Sequence, residues 1–348
     1  MLYLNRYKNV FINRALRLLK KEKAERQYKY GEYGISKYLE TAKELNIEII
    51  PLGYKMFELR KGDVTKRIMS DLTLDSENPV TCRLCCNKYL TYKVLENNGI
   101  KNFPKHKLYT FEEIENAIRD FREWNCRVVI KPVNGTHGGT GVTVNIKNIK
   151  ELKNAIAHSF VFDRKHFLME QYIEGSHFRV MTLNGKYIYC SQRIPARIFG
   201  NGKDSIKKLI EKENAIRKND KSEKSLYPIL IDNDAIRKLK ILNITLNTIL
   251  EKNRELYIKD VSNFHSGGEL WYIENVSEDI KRLCTRIAKI LKIYLAGFDI
   301  ITSDIGKSLE ETNGVINEVN TSPGIDNMFL PNSNTHIAEV ILKDMLNM

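Results

Sequence analysis

Residues 128–142 read VVIKPVNGTHGGTGV. A strand-like apolar run ends in Lys131, Gly135, Gly138, Gly139 and Gly141 follow, and a second strand-like run, GVTVNI, starts at the last of them. A glycine-rich loop between two strands predicts a β-hairpin and disfavours the GxGxxG strand-to-helix turn of dinucleotide folds. The string is not GxxxxGK[ST], and no such string occurs in the chain, which disfavours the P-loop class. Without a Cβ, glycine lets backbone N–H groups approach anionic oxygens, and Lys131 would add a point charge to the same anion. A flap over phosphates and a mere turn both fit this stretch taken alone.

The surrounding pattern alternates strand and helix. Thr110 and Glu113 form a capping-box pattern ahead of Ile114, Ala117, Ile118, Phe121 and Trp124 at helical spacing. Asn148 and Glu151 open another helix, and strand FLMEQYI follows it. A helix is also expected from Asn87 to Gly99, stopped by Gly99 and Pro104. Downstream, FRVMTL and KYIYCSQRI read as a hairpin joined by the Asn-Gly turn of LNGK. Residues 205–255 read as helical and charged. An amphipathic helix through Ile280, Ile287 and Leu291 precedes two strands, AGFDIIT and GVINEVN, and a last helix carries Ile337, Val340, Ile341 and Met345. The expectation is α+β, with two lobes around a cleft preceded by a small N-terminal domain. The divisions fall at 1–84, 85–176 and 177–348.

Composition narrows the function classes. With 348 residues and 42% apolar content the chain can bury a sizeable core. No run of about 18 apolar residues appears, and the basic N-terminus lacks a signal-peptide cleavage site, so a cytoplasmic protein without membrane partners is expected. The six cysteines cluster only in TCRLCC, a weak zinc signal without a second Cys/His pair, and reduced thiols are expected. The net charge of +13 comes from scattered lysines with no arginine-aromatic stripe, which disfavours nucleic acid as a partner.

The two late strands carry the sharper signal. Glu318 and Asn320 are two apart in INEVN and share one face, and a hairpin lays Asp299 of GFDIIT beside them. Two carboxylates and an amide oxygen are the ligands Mg²⁺ takes when it shares a nucleotide's phosphates. Alternatively Asp299 and Glu318 pair with nearby lysines. The metal is favoured because a carboxylate within an apolar strand is costly unless matched, and both strands have one. The segment MEQYIEGSHFRV could meet an adenine edge through its backbone, with Glu174 near a ribose hydroxyl; a plain connection explains it as well.

In this order, KP-NG-HGGTGV, EQYIEG-FRV, RIPARIFGNGKDSIKKLI, NFHSGG, GFDIIT and INEVNTSPG resemble the ATP-grasp superfamily. The similarity, over about residues 67–332, is greater to the branch containing cyanophycin synthetase and related peptide-forming ligases. It implies the ATP-grasp fold and a carboxylate-amine ligase that uses ATP and one or two Mg²⁺ ions through an acyl phosphate, on small-molecule or peptide carboxylates and amines. A homo-oligomer is also implied. By the same resemblance, Lys131 contacts phosphates and Gly138, Gly139 and Gly141 form the flap. Glu170, Gln171, Tyr172, Ile173 and Glu174 line the adenosine pocket, Asp299, Glu318 and Asn320 bind metal, Arg179 and Arg193 flank the reacting carboxylate, and Ser322 and Gly324 shape the substrate side.

Some positions depart from the family's pattern. Tyr92 stands where relatives carry a second phosphate lysine, which leaves Lys88 and Lys93 as candidates. His177 stands where an acidic residue is common, so Glu174 or His177 is expected to meet the ribose. His137 is expected to stabilise its turn. The resemblance covers the grasp half of cyanophycin synthetase alone, so polymer synthesis by alternating additions is not implied. An ATP-binding regulatory or scaffold protein without catalysis is the alternative.

Overall fold

A computed structural model describes residues 35–69, 73–134, 141–219, 227–260, 262, 266–321, 323–324 and 337–348. They form two compact units: residues up to 76 together with Gly324 and the C-terminal helix, and residues 77–323. The first unit thus runs to residue 76 and includes the last helix.

In the first unit, helix α1 (described over 35–44) leads into a meander of β1 (Glu48–Gly53), β2 (Met56–Lys61) and β3 (Val64–Met69). Only β1 is expected from the sequence. The other strands carry five charged residues among twelve, yet alternation still buries Leu59 and Ile68.

The second unit opens with α2 (Pro79–Cys85), capped by the Asn78 side chain with Pro79 in the first turn, and α3 (Lys88–Asn97), capped by Asn87. A four-stranded antiparallel sheet follows in the order β4-β7-β5-β6, from β4 (His106–Thr110), β5 (Val128–Pro132), β6 (Thr143–Ile146) and β7 (His166–Gln171). Helices α4 (Ile114–Trp124) and α5 (Ile149–Phe160) bury Ala117, Ile118, Phe121, Leu152 and Ile156 with the sheet's Ile130, Phe167 and Met169. The Thr110–Glu113 capping box is present, on a short 3₁₀ turn ahead of α4.

A five-stranded antiparallel sheet, in the order β12-β9-β8-β13-β14, forms the rest of the frame. Its strands are β8 (Ser176–Leu183), β9 (Lys186–Ile194), β12 (Glu269–Tyr272), β13 (Leu295–Thr302) and β14 (Val315–Asn320). Asn184 and Gly185 both have positive φ, as the two-residue turn between β8 and β9 requires. Helix α8 (Glu278–Leu291) and α3 pack Ile280, Ile287, Leu291, Tyr92 and Leu95 into one core with Val180, Phe298 and Ile300. Between β9 and β12 lie β10 (Arg197–Phe199), α6 (Ile206–Asn219), α7 (Asn233–Ile241) and β11 (Glu255–Tyr257) around a core of their own. That stretch is less helical than the sequence suggests. A four-residue α9 (Leu309–Thr312) precedes β14, and α10 (Ile337–Met345) ends the chain. No helix of the described residues is long and apolar enough to cross a membrane.

Candidate functional site

The five-stranded sheet brings the charged residues together by register. Asp299 on β13 faces Glu318 on β14, and Gly297 faces Asn320. On its other side Asp299 faces Arg179 of β8, while Arg193 of β9 faces His177. Arg179 grips Asp299 in a fork, Nε donating to Oδ1 at 2.6 Å and Nη2 to Oδ2 at 3.1 Å. Arg193 Nη1 lies 3.2 Å from the same Oδ1, and Asn320 Nδ2 is 3.4 Å from Oδ2. Burial alone would raise the Asp299 pKa, but the two guanidinium groups outweigh it and hold the carboxyl well below the ordinary carboxylate range. Burial, and then repulsion from Arg179, push Arg193 down to about 10, and its Nε is buried without a hydrogen-bond partner among the described residues. Burial also keeps His177 below the usual imidazole value, with Arg193 acting in the same sense and Asp299 opposing. A Cβ on Gly297 would stand 2.9 Å from Arg179 Nη1 and 2.8 Å from Pro323 Cβ, so glycine there leaves the room the guanidinium occupies.

The second group of charges joins the two sheets. Lys131, 4% exposed on β5, lies 2.5 Å from Glu170 Oε2, and Glu170 on β7 is 1% exposed. The other Glu170 oxygen is 3.2 Å from the Tyr92 hydroxyl, which donates at 2.7 Å to the Asn317 carbonyl on β14. Lys131 Nζ also donates to Asn317 Oδ1 at 3.0 Å. From the first turn of α3, Lys88 Nζ reaches Glu318 Oε1 at 3.0 Å. Of the two candidate second lysines, Lys88 thus meets the charged group. Lys93 is exposed, with its ammonium 5.9 Å from the Tyr89 ring centroid.

Where β7 passes to β8, the backbone is tied to its neighbours: the Gln171 N–H donates to Lys105 O and the Tyr172 N–H to Arg127 O, each at 2.8 Å. The Arg127 guanidinium sits 4.8 Å over the Tyr172 ring and pairs with Glu174 Oε1 at 2.5 Å. Ile173 is half-buried and Glu174 exposed. His177, in contrast, stands beside Arg193 and Asp299. At the foot of the glycine loop Gly141 has φ +80°, and a Cβ there would lie 2.6 Å from Phe162 Cδ2. His137, Gly138, Gly139 and Ser322 lie outside the described residues, and Gly324 falls in the first unit.

Asp299, Glu318 and Asn320 offer only oxygen ligands, which suit a hard cation such as Mg²⁺. Among the described residues no group of three or more His, Cys, Asp or Glu forms a cation site, so an amide oxygen would have to complete the set. The alternative read from the sequence is also present in part, since Glu318 pairs with Lys88; Asp299 pairs with arginines instead. Two residues in this network, Tyr92 as a hydrogen-bond donor and Asn317, escape the sequence reading. In the sequence Tyr92 stands out only as the residue at a position where relatives carry a phosphate lysine, and Asn317 falls on the strand face opposite Glu318 if strict alternation is assumed.

The ATP-grasp domain family matches residues 85–323. The chain belongs to that family. ATP binding is inherent to the ATP-grasp fold. Among curated relatives, cyanophycin synthetase of Synechocystis sp. is 33% identical over 273 residues, 77% of this chain and 31% of that protein. A glutathione biosynthesis bifunctional protein of Clostridium perfringens is 25% identical over 272 residues, 77% of this chain and 34% of the relative. The chain thus spans about a third of the length of these relatives. Among solved structures, a bifunctional glutathione synthetase from Pasteurella multocida superposes with a TM-score of 0.60 at 22% identity, covering 86% of this chain and 41% of that one. A D-alanine–D-alanine ligase from Bacillus anthracis gives 0.50 at 19% identity, over 78% and 69%. These likenesses establish the ATP-grasp fold.

Proposed function

We propose that this ATP-grasp protein is an ATP- and Mg²⁺-dependent ligase that joins a carboxylate to an amine through an acyl phosphate, acting on an amino acid, a peptide or a peptide's side-chain carboxylate. The observation that carries the reading is the Asp299 cluster, in which a carboxylate on β13 is gripped by Arg179 and Arg193 and faces Glu318 across the strand pair. The named relatives, cyanophycin synthetase and a glutathione biosynthesis protein, agree with it.

In the first step a carboxylate oxygen of the substrate attacks the γ-phosphorus of ATP, and the β–γ bridging bond breaks to release ADP. In the second the amine attacks the acyl carbon, phosphate leaves and the nitrogen sheds a proton. Both steps gather negative charge on oxygens, so fixed cations serve them better than proton-transfer groups. Lys131 and Lys88 would meet the phosphates, and the glycine loop with Gly138, Gly139 and Gly141 would cover them. Residues 170–174 would hold adenosine, His177 and Glu174 being the candidates for its ribose. Arg179 and Arg193 would orient the carboxylate and stabilise the acyl phosphate, with Ser322 and Gly324 toward the substrate. Asp299, Glu318 and Asn320 would hold Mg²⁺, which supplies charge neutralisation on the phosphates. Lys88 and the arginines, which neutralise the carboxylates in this structure, would then be released toward anionic ligands.

The test is ATP consumption with candidate carboxylates and hydroxylamine in place of the amine. ADP with a stoichiometric hydroxamate supports the reading. ATP binding with Mg²⁺ but no hydroxamate from any carboxylate overturns it in favour of the regulatory alternative.

A further inference from the structure

The pairing of β13 with β14 is interrupted: Asp299 faces Glu318, but the next residue, Ile300, faces Ile316. Asn317 is therefore the extra residue of a β-bulge, and a bulge re-aims the side chains around it. Regular alternation would point Asn317 and Glu318 to opposite faces. Instead, neighbouring residues on one strand both engage lysines: Asn317 Oδ1 accepts from Lys131 and Glu318 Oε1 pairs with Lys88.

An ammonium group has three protons and no lone pair. Lys131 directs one to Glu170 Oε2 and one to Asn317 Oδ1, which leaves one for an anionic ligand. Glu170 alone would fix a single direction, and the buried ammonium could swing about it. The backbone carbonyl of Asn317 is anchored separately by the Tyr92 hydroxyl at 2.7 Å. Two fixed acceptors on different sheets thus set where the remaining proton points.

We propose that Asn317 is a positioning residue: its side-chain oxygen, offered across from β14, orients Lys131 for the nucleotide's phosphates. The inference rests on the reading of Lys131 as a phosphate contact. Preorganisation of this kind appears in affinity, because the ligand no longer bears the cost of ordering the lysine. Removing the Asn317 side chain leaves its carbonyl and the Tyr92 bond in place, so the lesion is confined to Lys131.

The experiment is a double-mutant cycle on ATP affinity, measured by calorimetry with the full chain: wild type, Asn317→Ala, Lys131→Met and the double variant. Asn317→Ala is expected to weaken ATP binding about tenfold, the size of one charge-assisted hydrogen bond. In the Lys131→Met background the same change is expected to alter affinity by less than about twofold. A merely structural Asn317 would give additive losses, and additive losses overturn the proposal, as does unaltered affinity in Asn317→Ala. Wild type that binds ATP with no loss in Lys131→Met overturns the assignment of Lys131, and the inference falls with it. Should Asn317→Ala fail to fold, Asn317→Ser takes its place in the cycle, with the same two criteria.

Discussion

At the scale of single residues, the two carboxylates opposite one another have different structural weight. Asp299 pairs with the buried Arg179 and the half-buried Arg193, whereas Glu318 is 30% exposed and answers one lysine. Asp299→Ala leaves like charges in contact and is expected to cost about 3 kcal/mol of stability in urea denaturation. Glu318→Ala is expected to cost under about 1 kcal/mol while abolishing ligase turnover. Equal stability losses, or retained turnover in Glu318→Ala, would contradict these roles. Gly297→Ala puts a methyl into the space of the Arg179 guanidinium and is expected to lower turnover at least about tenfold. A kinetic assay checks it, and unchanged turnover would show that Arg179 finds another path. The Asp299, Glu318 and Asn320 set is legible in the sequence because a period of two is enough to predict one shared face. Arg179 and Arg193 are legible only through the resemblance, since nothing local distinguishes them from surface arginines. Asn317 is hidden by the bulge, which breaks the very alternation that makes its neighbours readable.

At the scale of elements, capping signals carry well. Asn87, the Thr110–Glu113 pair and Asn148 each sit where their helices begin. The charged stretch between β9 and β12 carries less well, because its short strands β10 and β11 are three residues long and bury one residue each in the middle. There Asp204 accepts from Lys212 and Asn201 just ahead of α6, and those bonds hold its carboxyl at about 2, below the ordinary 3.8. A carboxylate whose folded pKa lies below its unfolded value stabilises the fold above the unfolded value and loses that contribution as pH falls through the folded one. The thermal midpoint of wild type is therefore expected to exceed that of Asp204→Asn near pH 6, with the gap closing between about pH 4 and pH 2. A gap that persists at pH 2 would mean that the hydrogen bonds, and not the charge, account for it.

At the scale of the whole molecule, the resemblance in the sequence extends over roughly the region the ATP-grasp domain family matches, residues 85–323. The division of the chain is less legible. A helix of apolar spacing such as α10 carries no mark of its partner, and it joins the N-terminal unit. Under the proposed reading, the phosphate and carboxylate chemistry would reside in a few charged positions, while substrate identity would be spread over surfaces that no short motif encodes. The most direct measurement of that chemistry is mass spectrometry of the purified protein incubated with ATP, Mg²⁺ and a metabolite extract. The expected result is ADP together with a new species whose mass is that of two metabolites less one water. Release of AMP and pyrophosphate, or ATP left intact with every extract, would contradict the acyl-phosphate ligase.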